Sequence, residues 1–138
     1  MITATYLHKL REAIVDHANR DALLELQQLA TSGNPYAQYL LGEMYCFGEG
    51  VEVSYEESLK WLCLASDAGS SEGMFILAEF FDPSFTFANN SIESKRGIKS
   101  QKIADLLRKT AFETFMYRAK EGDISVAKWL ALCYQLGW

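Results

Sequence analysis

The sequence predicts an all-α protein of about seven helices stacked as antiparallel hairpins, and three observations carry that expectation. Apolar residues recur at spacings of three and four along most of the chain, which marks helices with one buried face. A pattern that begins at Gly33 begins again 36 residues later at Gly69, and a third time at Gly122. Only two prolines, Pro35 and Pro83, interrupt the 138 residues, so long helices are permitted almost everywhere.

The repeats agree position by position. With the three glycines aligned, Leu40, Ile76 and Trp129 coincide, as do Leu41, Leu77 and Leu130. Gly42, Ala78 and Ala131 coincide as a small residue, and Tyr45, Phe81 and Tyr134 as an aromatic one. The segments before each glycine align too: Leu23, Leu59 and Phe112; Leu26, Leu62 and Phe115; Ala30, Ser66 and Ala119. A small residue once per helix lets a neighbouring helix approach closely, and a glycine just past a helix suits the left-handed C-terminal cap. A two-helix repeat cannot bury both of its faces alone, so consecutive repeats must stack.

The spacing places helices near 4–17, 22–32, 35–47, 55–68, 71–81, 101–120 and 123–136. Pro35 fits the first turn of its helix, where the missing N–H costs nothing. Asp21 and Ser100 are the expected N-caps of the helices that follow them. The organisation is one domain: a capping helix in 1–20, the first repeats in 21–81, an insertion loop in 82–100 and a C-terminal repeat in 101–138. The insertion follows from the spacing, because Gly69 to Gly122 is 53 residues, about 17 more than the repeat length. Loops longer than about 12–15 residues are usually functional or disordered.

Composition narrows the function classes. Apolar residues make up 49% and charged residues 22% of the chain, the balance of an ordinary globular domain. The net charge of −5 comes without a basic patch, which argues against nucleic acid as a partner. The start, MITATYLHKLREAIVDH, carries charges where a secretory signal would be apolar. No run approaches the ~18 apolar residues of a membrane span. Cys46, Cys63 and Cys133 lie inside apolar helical patterns, where a free thiol acts as a small hydrophobe, so a reducing cytoplasm is the expected compartment.

Catalytic and metal-binding constellations are weak. His8, Glu12 and Asp16 share a helical stripe, but His17 falls on the opposite side and the cysteines lack ligand spacing. The glycines of GEG at 48–50 lack the preceding strand of a phosphate loop and read as an interhelical turn. Neither histidine has a sequence-evident nucleophile beside it. The expectation is therefore a non-enzymatic protein without cofactor or metal.

AQYLLGEMYCFGEGV followed by SYEESLKWLCLASDAG resembles the Sel-one-like repeat, a relative of the tetratricopeptide repeat. The matching residues are Ala37, Leu41, Gly42, Tyr45, Gly48, Gly50, Val51, Trp61, Ala65 and Gly69. The resemblance implies a short right-handed α–α solenoid that binds other proteins, with no inherited catalytic residues. Members of the family serve as scaffolds, adaptors and inhibitors, many of them in bacterial secretion, signalling or toxin–immunity systems.

In the tetratricopeptide register the inner face of the repeats carries Tyr36, Tyr39, Glu43 and Phe47, then Glu72, Phe75, Glu79 and Asp82, with Lys128 and Gln135 in the third repeat. That face is aromatic and acidic, suited to a protein partner with a basic contact surface. Phe85 and Phe87 in the insertion are expected to dock on the same partner. The specific expectation is an immunity protein that holds a toxin or effector; a general adaptor in a signalling or secretion assembly is the alternative.

Overall fold

Every helix expected from the periodicity is present, and most begin where a side chain can accept from their first free N–H groups. The computed structural model describes residues 2–84 and 100–138. Its helices are α1 (Ala4–His17), α2 (Arg20–Thr31), α3 (Pro35–Phe47), α4 (Tyr55–Asp67), α5 (Ser71–Phe81), α6 (Gln101–Lys120) and α7 (Ala127–Gln135). A single 3-10 turn, Ile124–Val126, leads into α7, and no strand occurs among the described residues. Phe85 and Phe87, and most of the 82–100 insertion, lie outside the described residues.

The caps explain where the chain turns. Thr3, Asn34, Ser54, Ser70 and Ser100 each accept a backbone N–H two to three residues on, which satisfies donors that a helix start leaves free. Asn19, not Asp21, caps α2: its side-chain oxygen accepts from the Ala22 N–H, and Asp21 falls in the first turn. The helix starts earlier than the apolar pattern because the cap residue need not be apolar. Gly33, Gly69 and Gly122 have φ of 102°, 89° and 91°, the left-handed conformation expected from their place after α2, α4 and α6.

Each helix packs on the next, and α1, α3 and α5 also touch along one side. The tightest crossing is that of α3 and α4. A Cβ placed on Gly42 would lie 2.6 Å from Leu62 Cγ, and the Ser58 hydroxyl donates to the Gly42 carbonyl at 2.6 Å. Only a glycine permits that approach. At the second such crossing a Cβ on Gly73 would lie 2.9 Å from the Ala65 methyl, where α5 passes α4. The core runs unbroken from Leu7, Leu10 and Ile14 of α1 through Leu26, Leu40, Leu41, Leu62 and Phe80 to Phe115 and Cys133.

The insertion leaves and rejoins the repeat at one point. The Ser100 N–H donates to the Phe81 carbonyl at 2.7 Å, so the chain before residue 82 and after residue 99 is already paired. Arg108 of α6 donates to Asp82 at 2.6 Å and fastens the same point from the side. The repeat therefore resumes as though the extra residues were absent.

Candidate protein-binding face

α1, α3 and α5 align their inward residues into the face that the register predicts, and α7 then lies across its middle. Trp129 is the side chain that closes it. Its ring stacks on Phe115 at 5.7 Å and 9°, and meets Tyr39 and Phe75 edge-on at 5.9 and 5.4 Å. Tyr39 is 1% exposed and Phe75 6%. These two rings, expected as open anchors, are core in the free protein. The sequence register carried no information that Trp129 would come down on them.

The chain of edge-on rings continues outward. Tyr39 meets Tyr36 at 5.3 Å, and Tyr36 meets His8 at 5.4 Å. A ring nitrogen of His8 lies 2.8 Å from the Tyr36 hydroxyl, so the histidine is occupied within the face. Burial, helped by Arg11 and Lys128, lowers the His8 pKa. Lys128 of α7 thus acts on a residue of α1, which brings the two ends of the chain together over the face. Burial also pushes the Tyr36 hydroxyl up to about 12.

Three arginines neutralise most of the acids. Arg11 pairs with Glu43 at 2.9 Å and with Glu49, and the Tyr39 hydroxyl donates to Glu43 at 2.9 Å. Arg118 pairs with Glu72 at 2.7 Å, donates to Ser71 at 2.9 Å, and pairs with Asp123 at 2.8 Å. Arg108 holds Asp82; with Ser84 donating first, the two pull its carboxyl down to about 2. None of these arginines was singled out in the sequence, because each approaches from α1 or α6 and pairs over long sequence separations. Asp82 and Glu72 are buried and Glu43 nearly so, which the expectation of a solvated acidic surface did not foresee.

Glu79 is different. It is half-buried between Glu43 and Asp82, and among the described residues nothing hydrogen-bonds to it. Burial raises its carboxyl to about 7, with the Arg108 charge acting against the shift and the two neighbouring acids adding to it. Phe47, at the C-terminal end of α3, is 52% exposed. The expected residues thus divide. Glu79, Phe47 and the edge of Tyr36 remain reachable; Tyr39, Phe75, Glu72 and Asp82 support them from beneath.

Residues 35–70 match the family model of the Sel1 repeat. This chain carries a Sel1 repeat. The matched segment is α3, the turn after it and α4, closing on the glycine and cap serine that start the next repeat. No characterised protein and no solved structure matches the chain. The Sel1 repeat is typically a non-enzymatic framework for protein–protein interaction, and α2 and α5 pack on the matched hairpin from either side. Among the described residues no three His, Cys, Asp or Glu side chains converge as metal ligands, and no helix is long and apolar enough to cross a membrane.

Proposed function

We propose that the chain is an immunity-type binding module that holds one protein partner, a toxin or effector, by a basic contact surface and so blocks its action. One observation carries this reading. On a face where arginines neutralise Glu43, Glu72 and Asp82, Glu79 is left without a hydrogen-bonded cation, and its carboxyl is raised to about 7. A lysine or arginine of the partner would supply the missing charge, and the exposed Phe47 ring beside Glu43 on α3 offers an apolar contact next to it. Tyr36, Glu43, Phe47 and Glu79 form the contact in this reading. Tyr39, Phe75, Glu72 and Asp82 hold it in shape, and Phe85 and Phe87 reach the partner from the insertion.

A cation docking on Glu79 must favour its ionised form, so binding releases a proton. Affinity then rises from pH 6 to pH 8, and Glu79→Gln removes that dependence. The biological test is a growth assay. Expression of a toxin-like protein from an adjacent reading frame arrests growth, and co-expression of this chain restores it. Failure of rescue, with the two proteins still co-purifying, would favour the adaptor reading over neutralisation.

A further inference from the structure

Two carboxylates face Arg108 from the end of α5, and its guanidinium takes only one. Glu79 and Asp82 are three residues apart, so they lie on one side of the helix about a turn from each other. Arg108 Nη1 donates to Asp82 Oδ2 at 2.6 Å, its one hydrogen bond among the described residues. Glu79 is left with none, although the Arg108 charge is felt there as the one influence that opposes burial.

The local sequence makes that choice. Pro83 disfavours helix at the residue before it, and Asp82 leaves α5 in extended backbone, with φ of −70° and ψ of 118°. From there its Oδ1 accepts the Ser84 N–H at 2.8 Å and the Ser84 hydroxyl at 2.6 Å, an Asx turn over Asp82, Pro83 and Ser84. With Oδ1 occupied, Oδ2 is presented to α6 in a fixed direction. Glu79 has the longer side chain and no such bond, so pairing it with Arg108 would require ordering that side chain as well. The pre-ordered carboxylate wins. On the other flank Glu43 faces Glu79 from α3, and Arg11 meets its charge at 2.9 Å. Each flanking acid thus keeps an arginine of its own.

We infer that Asp82 is the positioning residue that keeps Arg108 off Glu79 and so leaves the Glu79 carboxylate open to a cation from outside; its role in binding rests on the reading of Glu79 as the partner's contact. Without the Asp82 charge, Arg108 turns to Glu79 and fills the site from within the chain.

The free protein provides the test. NMR titration of the Glu79 carboxyl carbon in the parent, Asp82→Asn, Arg108→Gln and the double variant gives four midpoints. Asp82→Asn should bring the midpoint down from about 7 by about 1–3 pH units, as contact with a guanidinium does. Part of that fall is the loss of Asp82's own charge, and the Arg108 substitution separates the two causes. Arg108→Gln should raise the midpoint about twofold more in the Asp82→Asn background than in the parent, because only there does Arg108 touch Glu79. Equal rises in the two backgrounds would overturn the inference. So would a smaller rise in the Asp82→Asn background, since Arg108 would then already be serving Glu79 in the parent. Asp82→Ser, which keeps an acceptor for the Ser84 N–H but no charge, provides the same cycle by a second route, with circular dichroism confirming the fold. None of these measurements needs a partner, so a partner that docks away from Glu79 would defeat the contact reading and leave the cycle standing. For a partner that does use Glu79, Asp82→Asn should weaken binding about tenfold or more, and adding Arg108→Gln should restore it. Unchanged affinity in Asp82→Asn would overturn the role of Asp82 in binding.

Discussion

Ala18 ends α1 with φ of 49°, the one described non-glycine residue in the left-handed region. An L-residue there crowds its Cβ against the following carbonyl at a cost of about 1–2 kcal/mol, which the cap's own hydrogen bonds to Ala13 and Ile14 offset. Ala18→Gly should therefore stabilise the protein by about 1 kcal/mol, less the extra freedom glycine gains when unfolded. A urea titration showing a lower midpoint for the variant would refute this account. Glu79 carries a larger effect of a different kind. Its carboxyl is raised from 4.5 to about 7, so the folded chain binds more protons than the unfolded one between those values. That contribution is fully present below pH 4.5 and is lost as pH rises through 7. Glu79→Gln, which cannot ionise, should stabilise the protein by about 1–3 kcal/mol at pH 8 and have little effect at pH 4. Asp82 acts in the opposite direction, its contribution being lost only as pH falls through about 2. Melting curves across pH separate the two, and a Glu79→Gln benefit equal at pH 4 and pH 8 would mean that charge is not its cause.

The helix crossings show how much of the elements the sequence carries. Gly42→Leu should destabilise by about 1–3 kcal/mol or more, because Leu62, 0% exposed, fills the space its side chain would need. Leu62→Ala alone should cost about 2–5 kcal/mol and should partly rescue Gly42→Leu, which chemical denaturation of the double variant would test. The helices themselves were legible because periodicity, small residues and terminal glycines all express local geometry, and a 36-residue spacing registers one hairpin against the next. The start of α2 was misplaced at Asp21 because several polar residues in a row can each cap, and the sequence does not say which one turns first. The turn into α7 was read as α-helix where Asp123 and Ser125 tighten it to a 3-10 turn, a distinction that rests on a single side-chain acceptor. The face was legible as a register and illegible as a surface. Its arginines, Arg11, Arg108 and Arg118, come from other helices, and the closing Trp129 is distant from Tyr39 in sequence.

At the scale of the molecule, Trp129 decides whether the repeats behave as one body. A helical repeat array gains most of its stability from contacts between neighbours, so a short one is expected to fray from its ends. Here one ring touches α3, α5 and α6 at once through Tyr39, Phe75 and Phe115, while Arg118 ties the start of α5 to the turn before α7. Those contacts span the array instead of following it, and they make α7 a brace rather than a terminal flap. Trp129→Ala should remove about 3–5 kcal/mol. More tellingly, it should separate what now unfolds together. In the parent protein, slow-exchanging amides of α3, α5 and α7 should report a common opening free energy. In Trp129→Ala the amides of α7 should exchange at a lower free energy than those of α3, and Tyr39 and Phe75 should become reachable from solvent. The same variant then serves as a probe of the binding face: exposing those two rings should tighten a partner that uses them and leave unaffected a partner that stops at Phe47 and Glu79. Uniform exchange in the variant, falling equally in every helix, would show that the array is cooperative without its brace.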